Sequence, residues 1–396
     1  MKKIMILGAG IYQLPLIKKA KELKLYTIVA SKKGNYPGFE FADRVYYVDT
    51  TDINQILHIS KTENIDGIVT SGTDVAVPTI GKVCDELGLH GVNYNAANRA
   101  NIKSLMKDAF IEHGVKTARH VLCYDVYDAE KALSILKMPV VFKAVDSSGS
   151  RGIIRISSKD LNTIEHAIEI IRRVSNKDYF IVEEFIEGIE FGAQALVCNG
   201  ELKFFMPHGD YVFKGDIGVP VGHFVPYDLD EEILKEAKKQ LILAIKALGI
   251  DKCAINADFI LSGDDVYVLE VGARSGATCL AEMVSAAYGI DYYKIILDVA
   301  LNGNCNAFIQ DELTPVVAKL ITSEVDGVIS KIEFPNIKSD NVLELKLDYN
   351  IGDRINAFRV GPDRIGDIIV KGDTLKAAQL LIEELMNGLL IDIEQR

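Results

Sequence analysis

Two acids in this chain sit in a pattern that can do chemistry. Asp258 and Glu270 each lie within an apolar run that reads as a β-strand, Ala257–Leu261 and Val266–Val271. The polar stretch between the runs, Ser262-Gly263-Asp264-Asp265, is a hairpin turn sequence. With a loop of Gly263 to Asp265, the two carboxylates fall opposite one another on the same face of the ladder. Like charges placed side by side with no base between them repel. A divalent cation converts that repulsion into a binding site. A small set of hard oxygen ligands suits Mg²⁺, which takes one or two carboxylates and leaves the rest of its shell to water and substrate phosphates.

A second stretch supplies what phosphates need. Met138–Ala144 is an apolar strand ending in Lys143, and it runs into Asp146-Ser147-Ser148-Gly149-Ser150-Arg151-Gly152. Backbone N–H groups and hydroxyls of such a loop can wrap phosphate oxygens while the lysine supplies fixed charge. An ordinary polar hairpin is the alternative. A lysine set in an apolar strand needs a partner, which favours the phosphate reading.

The composition limits the rest. At 396 residues the chain exceeds one ordinary core, and two or three domains are expected. A net charge of −12 argues against a broad nucleic-acid surface, so an anionic ligand must find local positive charge. The six cysteines are scattered with no CxxC, which suggests reduced thiols in a cytoplasm and neither a zinc site nor a disulfide framework. Lys2-Lys3 and the run Ile4–Ile17 resemble a leader, but Gly8, Gly10 and Gln13 fit a strand turning into a helix better. No apolar run reaches membrane-spanning length.

The elements that must position these groups follow in order. Residues 1 to about 93 alternate strand and helix (Lys3–Leu7, Tyr26–Ser31, Val45–Val48, Ile53–Glu63, Gly67–Val69, Val77–Leu87), the pattern of an open, mostly parallel sheet. Gly8-Ala9-Gly10 invites a dinucleotide reading, but Gln13 stands where the third glycine belongs, and the second strand ends in Ser31-Lys32-Lys33 with no acid for a ribose. A tight turn or an anion pocket at a helix start fits better. Ser71-Gly72-Thr73-Asp74 reads equally as a substrate contact or a helix cap. One helix is expected over Asn101 to about Gly114, carrying Lys103 and Lys107. The strand Tyr179–Ile186 holds Glu183-Glu184, and Glu231–Leu248 is a long amphipathic helix. The last ninety-odd residues read as short strands, among them Ala357–Val360, and a final helix Leu375–Met386, a small α+β domain.

The ordered set of a linker lysine, a strand lysine with a Gly/Ser loop, a Glu-Glu-aromatic-Ile segment and an acid hairpin ending Glu-x-x-x-Arg resembles the ATP-grasp superfamily. The similar branch includes biotin carboxylase, carbamoyl-phosphate synthetase and amino-acid ligases, and the likeness covers nearly the whole chain. It implies an N-terminal pre-ATP-grasp βα domain at 1–93, an ATP-grasp domain of two α+β subdomains at 94–302 with its lid at about 116–186, and a C-terminal α+β domain at 303–396. It also implies ATP and Mg²⁺, with Mn²⁺ able to substitute. Lys103 and Lys143 match the lysines on the nucleotide phosphates. Ser147, Ser148, Gly149, Ser150 and Gly152 match the lid. Glu183, Glu184, Phe185 and Ile186 match the adenine edge, and Glu190 the ribose contact. Asp258 and Glu270 match the metal carboxylates. Arg274, with Lys143, matches the groups that act on the transferring phosphate.

The implied reaction is carboxylate–amine ligation through an acyl phosphate, with ADP and phosphate released. Its partners are a small carboxylate, such as an amino acid, and an amine, with no nucleic acid or membrane and with a homodimer open as an assembly. A purine-pathway-like carboxylase or formate-dependent formyl transferase is the alternative within enzymes, and a non-catalytic ATP-binding regulator the alternative outside them. His208, Lys214 and His223, in the loop-rich stretch before the long helix, and Arg364 in the C-terminal part are further substrate candidates; the first three read more readily as structural or surface residues, and Arg364 equally as a turn salt bridge. Two departures stand out. Gly272 occupies the place where the superfamily often has an asparagine metal ligand, and Ala144 the place of a proline. There is no GxxxxGK[ST] and no His-Arg-Asp, which excludes P-loop and protein-kinase chemistry.

Overall fold

Four short parallel strands open the chain: β1 (Lys3–Leu7), β2 (Tyr26–Ser31), β3 (Arg44–Tyr47) and β4 (Gly67–Val69), in the order β3-β2-β1-β4. The inner two are buried on nearly every residue, as a sheet covered on both faces requires. Helices α1 (Leu14–Glu22), α2 (Ile53–Glu63) and α3 (Val77–Leu87) connect them. Pro15 starts α1, Asp52 caps α2 by accepting from the Gln55 N–H, and Asn64 ends it in a left-handed conformation.

The computed structural model describes residues 1–395 except 148, 150, 214–217 and 306–311. The chain divides into two compact units. One holds Met1–Phe205, Leu229–Ser275 and Tyr293–Asn306, and the other Met206–Asp228, Gly276–Tyr292 and Ala307–Arg396.

Within the first unit, the helix expected over Asn101–Gly114 is α5 (Lys103–Glu112), and a separate helix before it, α4 (Tyr94–Asn101), was not anticipated. Ile102 is extended between them, and the break makes Lys103 the first residue of α5, its N–H on the Val145 carbonyl at 2.9 Å. A four-stranded antiparallel sheet follows, β5 (His120–Cys123), β6 (Val140–Ala144), β7 (Ile153–Ile156) and β8 (Phe180–Glu184), in the order β5-β8-β6-β7. Helices α6 (Val126–Ile135) and α7 (Leu161–Val174), capped by Asp125 and Asp160, cover it and bury Leu133, Phe142, Ile168 and Val182. Strand β9 (Ile189–Cys198) leads to β10 (Glu201–Phe213), which starts in the first unit and ends in the second, and then to β11 (Val219–Val225). Helix α8 (Glu231–Leu248) stops at left-handed Gly249, and β12 (Cys253–Ser262) and β13 (Asp265–Gly272) form the acid-bearing hairpin against β9. Cys198 and Cys305, 107 residues apart, are joined as a disulfide, which corrects the expectation of six reduced thiols. That distance in sequence hides the pairing.

Helices α9 (Leu280–Tyr288) and α10 (Tyr292–Asn302) come next in the chain. In the second unit, β10 and β11 are extended by β14 (Val316–Ile321), then β18 (Gly366–Lys371) and β16 (Val342–Leu347). A small sheet is made by β17 (Arg354–Ile355), β15 (Gly327–Glu333) and β19 (Leu390–Glu394). Helix α11 (Leu375–Gly388) packs Ala378, Ile382 and Leu385 on the core of this unit. Ala357–Val360, expected as a strand, is not one. The pairing is made just before it by β17, and β19 was not anticipated because it alternates exposed and half-buried residues too briefly to stand out.

Candidate active site

The hairpin places its two acids directly across the ladder, Asp258 opposite Glu270. The route differs from the expected three-residue loop. Ser262 pairs with Asp265, so the turn is Gly263-Asp264, with Gly263 at φ +61°. A β-bulge then absorbs Leu269, and that restores the register of the acids. On its other flank Asp258 faces Gly192 of β9, which brings no side chain. The stacked rings of Phe191 and Phe259, 5.1 Å apart, fix the neighbouring register. Glu270 is half-buried, and the Lys103 ammonium lies 3.2 Å from its carboxylate.

Three lysines of the first unit converge on acids. Lys103 also donates to the Ser147 carbonyl at 2.9 Å, which ties the start of α5 to the loop after β6. Lys143, on β6, pairs with Glu183, its diagonal neighbour on β8. Lys107, one turn along α5 from Lys103, reaches the same Glu183 at 3.3 Å and donates to Thr117 Oγ1 at 2.7 Å. Burial works against the charge of Lys143, and the adjacent Glu183 carboxylate outweighs it, so its pKa is raised. Burial pulls Lys107 down despite the same neighbour. Burial alone would raise Glu183, but the two ammonium groups override it and hold the carboxyl at about 2. Lys107 was seen in the sequence only as a helix residue. The signal was its spacing of four from Lys103, which sets both on one helix face.

The loop after β6 is anchored at its start and turns on glycines. Asp146 anchors it by accepting from Ser175 Oγ at 2.6 Å and the Asn176 N–H at 3.0 Å. Gly149 and Gly152 have positive φ, and a Cβ on Gly152 would meet Val174 Cγ2 at 2.6 Å. Ser147 is buried with its hydroxyl unpartnered. Ser148 and Ser150 lie outside the described residues. Glu184 closes β8, bonded through its N–H to the Arg119 carbonyl. Phe185 and Ile186 follow as half-buried irregular backbone, with Arg155 stacked 3.8 Å over the Phe185 ring. Glu190 is exposed on β9, beside Ile260 of β12.

Arg274 follows β13 and is partly buried. Its Nε and Nη2 donate to the two carboxylate oxygens of Asp74 at 2.8 and 2.7 Å, a bidentate pair, and Nη1 donates to the Ser275 carbonyl at 3.2 Å. Burial opposes the guanidinium charge, and the Asp74 carboxylate more than compensates, with Asp258 and Glu270 adding to it. Asp258 and Glu270 are two hard-oxygen donors facing each other, and this donor set fits Mg²⁺.

The remaining sequence candidates lie in the second unit. Asp210 on β10 pairs with His223 on β11, and His208 is two residues before Asp210 on the same face. Both histidines donate from Nδ1 to Asp210 Oδ1, at 2.8 and 2.6 Å, and both Nε2 atoms are buried without a partner among the described residues. Burial would raise the Asp210 pKa, but the two imidazoles hold it well below the carboxylate range. One ligand atom from each of the three residues lies within 4.8 Å of the others, and the Nδ1 atoms are taken up by hydrogen bonds to Asp210. Asp210 was not anticipated, although its period-two spacing from His208 was readable. Lys214 lies outside the described residues. Arg364 is buried and bound to Asp348 at 2.8 Å and Asp367 at 3.2 Å.

Known proteins resemble this chain in sequence and fold. Residues 136–282 match the ATP-grasp domain, and residues 319–394 match the L-amino acid ligase C-terminal domain 2. The crystal structure of phosphoribosylglycinamide synthetase from Anaerococcus prevotii is 36% identical, with a TM-score of 0.85, over 99% of this chain and 100% of that one. Alanine–anticapsin ligase of Bacillus subtilis is 24% identical over 71% of this chain, and the match spans 66% of the relative's own length. Formate-dependent phosphoribosylglycinamide formyltransferase of Methanocella arvoryzae is 28% identical over 95% of this chain and 89% of the relative. The chain belongs to the ATP-grasp superfamily.

Proposed function

We propose that this protein is a carboxylate–amine ligase that activates a small carboxylate with MgATP as an acyl phosphate and joins it to an amine, releasing ADP and phosphate. The observation that carries the reading is the pairing of Asp258 with Glu270 across β12 and β13, with Lys103 on Glu270 and Lys143 in the same unit. Phosphoryl transfer asks for positioning and charge neutralisation rather than covalent chemistry from the protein. Mg²⁺ held by Asp258 and Glu270, with Mn²⁺ as a substitute, would neutralise charge on the β- and γ-phosphates. Lys103 and Lys143 exchange part of their carboxylate pairing for phosphate oxygens. The loop of Ser147 to Gly152 covers those oxygens and keeps water from the acyl phosphate. Glu183 to Ile186 meet the adenine edge, and Glu190 meets the ribose. Arg274 faces the transferring phosphate and the tetrahedral oxyanion formed when the amine attacks.

The corresponding division is a pre-ATP-grasp domain at 1–93, an ATP-grasp domain at 94–302 and a C-terminal domain at 303–396. His208 and His223 offer buried Nε2 acceptors to a substrate amine, while Lys214 and Arg364 are weaker candidates for substrate contact. The formyltransferase relative supports a second reading, in which formate is the acid. ADP release measured with MgATP, a panel of carboxylates including amino acids and formate, and a panel of amines separates the two. The first reading expects turnover only when an amino acid or similar acid and an amine are both present. Turnover with formate alone among the acids would favour the second, and ATP binding with no turnover on any pair would sink both.

A further inference from the structure

Position 272 and the Asp74–Arg274 pair are linked by space. A Cβ built on Gly272 would lie 2.7 Å from Asp74 Oδ1, while the nearest Arg274 atoms would be 3.6 Å away. The carboxylate of Asp74 therefore occupies the volume into which any side chain at 272 would project. Gly272 has an ordinary strand conformation, so the glycine answers to the neighbour and not to the backbone.

The loop that carries Asp74 is tied down on several sides. The Gln13 amide donates to the Ser71 carbonyl at 2.6 Å, Ser71 Oγ donates to the Tyr12 carbonyl at 2.7 Å, and the Gly72 N–H donates to the Ser275 carbonyl at 3.1 Å. That last carbonyl also accepts from Arg274 Nη1. A guanidinium has five N–H groups in a rigid fork. Asp74 takes two of them and Ser275 one.

We propose that Asp74 is the positioning residue for Arg274. It clamps the Nε–Nη2 edge so that the two remaining N–H groups are presented in one orientation, and Gly272 is the vacancy that lets the clamp close. The catalytic meaning of the clamp rests on the ligase reading above. Its geometry does not. A side chain at 272 and the acid at 74 exclude each other, and this accounts for glycine at the place where an asparagine ligand was expected.

The test compares Asp74→Ala, Asp74→Asn, Gly272→Ala and the double variant Asp74→Ala/Gly272→Ala in the full chain. Two readouts are used: kcat with the ATP KM, and the ¹⁵N-resolved Nε–H resonance of Arg274, assigned by its loss in Arg274→Lys. The clamp predicts a slowly exchanging resonance in the wild type that is lost in Asp74→Ala and Gly272→Ala. It also predicts a fall in kcat of about a hundredfold in each, with little change in the ATP KM. The double variant should be no worse than Asp74→Ala alone, because the Cβ then has room. Should Asp74→Ala fail to fold, Asp74→Asn keeps the volume but removes one acceptor of the bidentate pair, and the losses of resonance and kcat are then read in Asp74→Asn and Gly272→Ala. A protected resonance and full kcat in Gly272→Ala, or losses that multiply in the double variant, would overturn the proposal. A wild-type chain inert on every substrate pair would overturn the ligase reading and the clamp's catalytic meaning with it, while the resonance would still decide the geometry.

Discussion

Charges in the first unit are arranged so that Lys103, Lys107, Lys143 and Arg274 each lie against an acid. Glu270 sits between Asp258 and Lys103, and Glu183 between Lys107 and Lys143. The two acids differ in what their removal should do. Glu270 is half-exposed, so Glu270→Ala should leave the protein folded and lower turnover by at least about a hundredfold, since the metal loses a ligand. ADP release beside a thermal melt checks this, and retained activity would remove Glu270 from the metal site. Glu183 is buried between two ammonium groups, and Glu183→Gln leaves both without a counter-charge. A loss of roughly 3–5 kcal/mol in urea unfolding is expected. The same carboxyl sets an acid limit. Its pKa in the folded protein is depressed from its ordinary 4.5 to about 2. Its stabilising contribution is therefore complete above pH 4.5 and is lost as pH falls toward 2, and urea midpoints measured across that range should show the decline vanish in Glu183→Gln. Among the site residues, those standing in apolar strands were legible because a buried charge demands a reason. The ion-pair partners of Lys107 and Asp74 and the role of Asp210 were not, because each partner is distant in sequence or on another strand.

At the level of elements, the hairpin shows how a correct pairing can rest on an incorrect loop. The acids were expected opposite one another through a three-residue loop, and they are opposite through a two-residue turn and a bulge at Leu269. Either device absorbs one odd residue, and periodicity cannot tell them apart. Gly263 tests the turn. Its φ is +61° and the space around it is open, so Gly263→Ala should carry backbone strain alone, about 1 kcal/mol in urea unfolding, with kcat unchanged. Helix α4 was missed, and the start of α5 was expected at Asn101; Ile102 is extended, and α5 begins where the Lys103 N–H bonds the Val145 carbonyl. In the second unit the strands with full apolar runs, such as Val316–Ile321, were legible, while the two-residue β17 and the terminal β19 depend on pairing that no local pattern announces.

For the molecule as a whole, an acidic chain of net charge −12 gathers lysines and an arginine in its first unit and neutralises each with an acid. Saturating MgATP should stabilise it by mass action, by about 2.7 kcal/mol at a hundred times Kd, and chelating the metal should remove most of that gain. Cysteine chemistry gives a separate check. With Cys198 and Cys305 joined, thiol titration of the unfolded, unreduced protein should find the four remaining thiols, at Cys84, Cys123, Cys253 and Cys279. No described helix is long and apolar enough to cross a membrane. The superfamily was legible from the order of weak motifs, whereas the identity of acid and amine was not, because those contacts come from loops whose shape the fold leaves free. The central claim is that a carboxylate is activated as an acyl phosphate. The direct measurement is hydroxamate formation when the protein is given MgATP, hydroxylamine and, in place of the amine, each carboxylate that supports turnover. The account predicts hydroxamate in step with ADP. ADP released with no hydroxamate from any such acid would contradict it.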